Sequence, residues 1–204
     1  MSALTPDRAR PENTPDQPAP ATATTPRFTW VQEFCARPPS QSWLIRDYLE
    51  PDTVTVVFGD SGAFKSFMAV DMSCCIATGK QWRDRPVKLG IALYVAGEGG
   101  SGLKKRFRAW FEHHDETMRN VAISTVPLAM CDPANVDDLV ADIQALVANL
   151  PAQPSLIVLD TLNTHFGDGD ENSAADMRKF LNSLRRLCAV TGAAILIVHH
   201  VGHA

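Results

Sequence analysis

The sequence predicts an α/β fold: a mainly parallel sheet with helices packed on both faces. Short, almost wholly apolar runs recur at Thr53–Phe58, Ile91–Ala96, Leu156–Leu159 and Ala194–Val198. A strand that is apolar at nearly every position must be covered on both faces. The stretches between these runs show helical periodicity, which supplies the long crossovers that parallel strands need. In such sheets ligands sit beyond the carboxyl ends of the strands, and here glycine-rich or ionisable residues follow the apolar runs directly.

Taken in order, residues 1–26 are rich in Pro, Ala, Thr and Asp, with no large apolar residue after Leu4. Such a segment buries too little surface to offset its ordering entropy, so a disordered tail is expected. The globular domain is expected over 27–204, opening near Phe28-Thr29-Trp30. Trp43-Leu44-Ile45 and Tyr48-Leu49 then lead into the β-branched strand Thr53–Phe58. Lys65–Thr78 reads as a helix, apolar nearly all round and stopped by Gly79. After the strand Ile91–Ala96, a helix from Gly102 to about His114 places Leu103, Phe107 and Trp110 on one face. Val121–Val126 reads as a short strand. Ala134–Leu150 is amphipathic, with Val136, Leu139, Val140, Ile143, Leu146, Val147 and Leu150 on one face, and Pro151 and Pro154 end it. The last helix, Ser173–Val190, opens on Ser173-Ala-Ala-Asp176, which resembles a capping box.

Composition narrows the function classes. A net charge of −4 and a pI near 5.8 argue against a strongly basic nucleic-acid binder, although a narrow basic channel in an assembly is compatible with them. Five cysteines, an odd number with no C-x-x-C pair, read as reduced and mostly buried. The N-terminus has no apolar run suited to a signal peptide, and no stretch approaches the ~18 apolar residues of a membrane span. A cytoplasmic protein without membrane contact is expected.

The chemistry concentrates at the strand ends. Phe58 is followed by Gly59, Asp60, Ser61, Gly62, Ala63, Phe64, Lys65, Ser66 and Phe67. Small residues let successive backbone N–H groups turn inward on a phosphate, a lysine reaches the outer phosphates, and a hydroxyl holds Mg²⁺. The helix starting at Lys65 adds its positive end. The pattern is that of a phosphate-binding loop for ATP, with Phe64 standing where glycine is usual; a plain glycine-rich turn is the bland alternative. Asp160 ends the run Leu156–Leu159 and suits a Mg²⁺ role beside that loop. Glu98, in Gly97-Glu98-Gly99-Gly100, suits orientation of an attacking water, and is otherwise a solvated loop carboxylate.

His199 and His200 end the last run, where a polar side chain can touch the γ-phosphate; either could do so, and strand alternation points them to opposite sides. A structural histidine is the main alternative, and a metal site including His203 lacks nearby Cys or acidic ligands. Lys104, Lys105, Arg106 and Arg108 form a basic helix face, which is more often solvated than DNA-binding. The acidic loop 166–172, with Asp168, Asp170 and Glu171, has no assigned role.

Together GDSGAFKSF, LYVAGEGGSGLKKRFRAW, LIVLDTLNTHFGDGDENSAADM and ILIVHH resemble RecA-like P-loop ATPases of the hexameric RepA helicase type, AAA-family proteins of plasmids, phages and mobile elements. The resemblance covers about residues 43–203. Variants with an aromatic before the loop lysine, as Phe64 is here, occur in that group, so Phe64 departs from the general pattern without contradicting the resemblance. It implies a RecA-like fold and ATP hydrolysis with Mg²⁺ between subunits of a homo-oligomeric ring moving along single-stranded DNA. By motif, Lys65 and Ser66 take the phosphate and Mg²⁺ roles, Asp160 the second Mg²⁺ role, Glu98 the catalytic carboxylate, and His199 or His200 the sensor position. It also implies further strands, DNA-contacting loops and a basic finger after the last run. With the sequence ending at Ala204, a C-terminally truncated fold with an uncovered sheet edge and slow hydrolysis is the expectation. A regulatory or recombination ATPase without unwinding, a small-molecule kinase and a non-catalytic nucleotide-binding fragment are the competing readings.

Overall fold

The computed structural model describes residues 28–36, 42–97, 99–148, 150 and 152–200. The expected tail 1–26, Arg27, Glu98, Pro151 and His203 lie outside the described residues. The chain divides into two compact units, 1–40 and 41–204. In the first, the described residues form one short helix, α1 (Val31–Ala36), with Phe28, Trp30, Val31 and Phe34 exposed.

The second unit is built on five parallel strands: β1 (Val54–Gly59), β2 (Ile91–Ala96), β3 (Val121–Ser124), β4 (Pro154–Asp160) and β5 (Ala194–His200). Their spatial order is β1-β5-β4-β2-β3. The connecting helices are α2 (Lys65–Thr78), α3 (Gly100–His113), α4 (Pro133–Val147), α5 (Leu162–Phe166) and α6 (Ala174–Thr191). The expected apolar runs are therefore the strands of the sheet, with β2, β4 and β5 buried as expected. β1 departs from that expectation: it ends the strand order, and Val56 and Phe58 are exposed because no neighbouring strand covers its outer side among the described residues. Pro154 opens β4, a position where its missing N–H is tolerated.

Alternation along the strands divides the core in two. Ala92, Tyr94 and Ala96, Leu156 and Val158, and Ala194, Leu196 and Val198 point to the face covered by α2 and α3. Ile91, Leu93 and Val95, Ile157 and Leu159, and Ile195 and Ile197 point to the face covered by α4, α5 and α6. Each fully buried Leu or Ile contributes about 1.5–3 kcal/mol, so the central strands β4 and β5, buried on both sides, form the rigid base from which the loops project.

Local signals set the helix limits. Gly79 caps α2 in the left-handed region (φ 76°), its N–H donating to Cys75 O at 2.8 Å. Asp132 caps α4 by accepting from Ala134 N, with Pro133 at the first helical position. Ser173 caps α6, its hydroxyl accepting from Asp176 N at 3.4 Å. The reciprocal half of the expected box is absent: Asp176 accepts instead from Asp170 N and from Lys179 Nζ. Asp170 in turn accepts from Asn172 N at 2.9 Å, so part of the acidic loop serves to close the entry to α6.

Three expectations shift. The face of α4 is narrower than its sequence pattern, because Leu146 stays half exposed while Val136, Ile143 and Val147 are buried. Phe111 joins Leu103 and Phe107 as the buried face of α3, and Trp110 sits beside them with its Nε1 donating to Asp71 Oδ1 at 2.7 Å. The five-residue α5, directly after β4, is too short to show a helical period. Among the described residues no helix is long and apolar enough to cross a membrane. All five cysteines are free thiols; Cys74, Cys75 and Cys188 are buried.

Candidate functional site

The strand order brings the polar strand ends together. β5 lies between β1 and β4, so Asp160 is not on the strand next to the glycine-rich loop; one strand separates them. Register then sorts the two histidines. His200 pairs with Gly59 and shares its sheet face with Val198 and Asp160, the face that α2 covers. His199 pairs with Phe58 on the other face. His200 is exposed, whereas His199 is half-buried with an Nδ1 that has no partner among the described residues. Among those residues no three His, Cys, Asp or Glu side chains converge as a metal site.

Residues Gly59–Ser66 form the turn from β1 into α2. Gly62 sits at φ 80°, where an L side chain is strained, and Phe64 adopts φ 57°, ψ 21°. Such left-handed residues in a tight turn aim consecutive N–H groups inward. Among the described residues, the N–H groups of Gly62, Phe64, Lys65 and Ser66 find no backbone acceptor, leaving an anion-seeking concavity at the start of α2. Lys65 is only 5% exposed, and its Nζ donates to Gly59 O at 2.8 Å and Asp60 O at 2.7 Å. An ammonium has three N–H donors, so one remains for a ligand. Phe64, by contrast, is 72% exposed, and its ring meets Phe67 edge-on at 5.7 Å between centroids. Occupying the usual glycine position therefore costs this loop no room, because the side chain points out.

Asp160 is held from below. Tyr94, fully buried on β2, donates its hydroxyl to Asp160 Oδ2 at 2.6 Å. Burial first, then the charge and hydrogen bond of Asp160, push the Tyr94 pKa well above the ordinary tyrosine value, so it remains a donor. Asp160 Oδ1 has no hydrogen bond among the described residues. With the Ser66 hydroxyl it supplies the kind of hard oxygen donors that suit Mg²⁺.

Gly97 is fixed by its neighbours. Gly97 N–H donates to Asp160 O at 2.8 Å, and a Cβ at Gly97 would lie 2.1 Å from Thr164 Cγ2. Only glycine fits that crossing of β2 and α5. His165, the residue after Thr164 and fully buried, ties three segments. Its Nδ1 accepts from Leu128 N at 3.1 Å, which leaves Nε2–H to donate to Val95 O at 3.1 Å. Burial lowers its pKa below 6.5, against the smaller raising effect of backbone hydrogen bonds, so the imidazole is held neutral.

A family pattern described as AAA domain matches residues 18–204, nearly the whole chain. The chain belongs to this AAA domain family of P-loop ATPases. No curated protein matches it. The membership makes the chain a nucleotide-binding ATPase module, and the five-stranded parallel sheet is a RecA-like P-loop NTPase fold.

Within that AAA domain, sequence reasoning missed Tyr94, Gly97, His165 and Arg106. Tyr94 had a signal: it is the one polar-tipped residue of IALYVA, on the same side as the strand end. The charge pattern groups Arg106 with the basic face of α3, yet it is half-buried with its guanidinium 4.3 Å from the Phe67 ring centroid. Its charge reaches Tyr94. Lys104, Lys105 and Arg108 are exposed as expected.

Proposed function

We propose that residues 27–204 are the ATP-hydrolysing module of a RepA-type DNA helicase or translocase, preceded by a tail over 1–26. In this reading the module assembles as a homo-oligomeric ring on single-stranded DNA in the cytoplasm and serves plasmid, phage or mobile-element replication. The supporting observation is the interposition of β5 between β1 and β4, which puts Asp160 and His200 on the sheet face that α2 covers, the helix that Lys65 and Ser66 begin.

The roles follow from chemistry at that edge. Backbone N–H groups from Gly59 to Phe67 cradle the phosphates of ATP, and Lys65 neutralises the outer ones. Ser66 and Asp160 would hold Mg²⁺, which would offset the negative charge of the phosphates. Glu98 orients and deprotonates the attacking water, a contribution of about 10²–10⁴ in rate for a general base. His200, rather than His199, reports γ-phosphate to the sheet, because its side chain belongs to the face of Asp160.

Two variants and a DNA titration test this. Lys65→Ala should lose ATP binding, and Glu98→Gln should keep binding while turnover falls at least ~100-fold. Single-stranded DNA should stimulate wild-type turnover, and strand displacement should follow. Unchanged ATP affinity in Lys65→Ala removes the loop assignment, and wild-type turnover in Glu98→Gln moves the base elsewhere. Stimulation without displacement would favour a RecA-like regulatory ATPase.

A further inference from the structure

Ahead of the amino ends of β1 and β2, two segments with no part in the ATP chemistry build a second cleft. Residues 43–49 precede β1 and residues 82–90 precede β2. The two are joined by an antiparallel bridge between Ile45 and Val87. Arg46 N–H donates to Pro86 O at 3.0 Å and Lys88 N–H to Leu44 O at 2.9 Å. Leu44, Ile45, Leu49 and Trp82 are buried beneath, so this lobe is anchored in the core under α2. On its surface lies a cleft of about 400 Å³ lined by Trp43, Arg46, Pro86, Val87 and Lys88.

The side chains around it are unusual for this chain. Net charge is −4 overall, yet residues 80–90 hold Lys80, Arg83, Arg85 and Lys88 against Asp84 alone. Lys80 and Arg85 are matched by Glu116 and Asp47. Arg46 and Lys88, which line the cleft, form no ion pair among the described residues and are exposed, beside a half-buried Trp43. We propose that this cleft binds one nucleotide of a single-stranded DNA, its base against the Trp43 indole and its flanking phosphates on Arg46 and Lys88. An indole is a sequence-tolerant platform for a base. A guanidinium presents a fork to phosphate oxygens, and an ammonium adds a point charge. The cleft volume falls within the roughly 300–1,000 Å³ of small-ligand sites. The choice of DNA as the strand rests on the helicase reading, but none of these residues belongs to the proposed ATP site.

The test is fluorescence anisotropy of a labelled oligo(dT) of about 20 nucleotides with the full chain at several salt concentrations. The Arg46→Glu/Lys88→Glu double variant should bind about tenfold or more weakly, and its salt slope should shrink by about 1.4, or ~0.7 for each lost single-strand contact. Trp43→Ala should weaken binding about 5- to 150-fold while Trp43→Phe retains most of it. Circular dichroism and unchanged affinity for a fluorescent ATP analogue would confirm that the variants are folded. Wild-type affinity and salt slope in the double variant would overturn the proposal, as would failure of the wild-type chain to bind the strand. Displacement of the strand by an equal concentration of dTMP would also overturn it, leaving a mononucleotide pocket. Loss of strand binding in the double variant, with wild-type ATP turnover indifferent to DNA, would keep this site and remove the helicase reading. DNA-stimulated turnover that the double variant leaves intact would do the reverse.

Discussion

Replacing Tyr94 by phenylalanine removes one hydroxyl from the core and leaves the ring, its packing against Phe107 and the strand unchanged. The lost bond is short, 2.6 Å to Asp160 Oδ2. A hydrogen bond to a charged group is worth about 1.5–3 kcal/mol. Asp160 is half-buried, so water partly replaces the donor and the loss should fall near the lower limit, about 1.5 kcal/mol. With a urea m-value of about 2 kcal/mol/M, the unfolding midpoint should drop by about 0.7 M at unchanged m. The effect should be flat across neutral pH, because burial and Asp160 hold the tyrosine protonated. Repeating the substitution in an Asp160→Ala background should abolish the loss, since the partner is gone. ATP affinity should fall in Mg²⁺ and hold in EDTA, because the hydroxyl acts through the orientation of Asp160. An unchanged midpoint in Tyr94→Phe, or an equal loss with Asp160 already removed, would refute this account.

Gly97→Ala should destabilise the fold by about 1–3 kcal/mol, read by the same urea titration; adding Thr164→Ala should recover only part, since Thr164 Cβ itself lies 2.4 Å from the new methyl. His165 should make stability fall with acidity: its folded pKa is lowered below 6.5, so the unfolded chain takes up the proton first as pH drops below that value. Unfolding free energy plotted against pH should therefore rise up to about 6.5 more steeply than in His165→Gln. His200→Ala should reduce ATP turnover, measured by phosphate release, by about tenfold or more with little change in stability; His199→Ala should spare turnover more, and equal losses in both would undo the assignment by sheet face.

The elements most legible in the sequence are those whose determinants are local. Lys65–Thr78 and Ile91–Ala96 have the limits read from the residues, because a glycine cap, a glycine-rich turn and a continuous apolar run are signals confined to a few positions. The short α5 was invisible, since five residues show no period. Arg106 was misplaced with its neighbours because charge pattern cannot reveal that Phe67, from another helix, stands beneath it. Phe64 departs from the usual loop residue, and only the backbone geometry shows that its ring is directed outward.

By itself the sequence determined a parallel α/β sheet, a glycine-rich turn running into Lys65 and Ser66 at the end of its first strand, and acidic and imidazole groups at the ends of others. These follow from apolar runs, turn residues and the 3.6-residue period, all read from neighbours in the chain. Tertiary structure alone decided that β5 stands between β1 and β4, which histidine shares a face with Asp160, and that Tyr94 holds that carboxylate. It also joined Trp43 and Arg46 to Lys88 across about 40 residues of sequence. The physical reason is the same in each case: strand order and register are set by packing on both faces of the sheet, a nonlocal balance that no local pattern encodes.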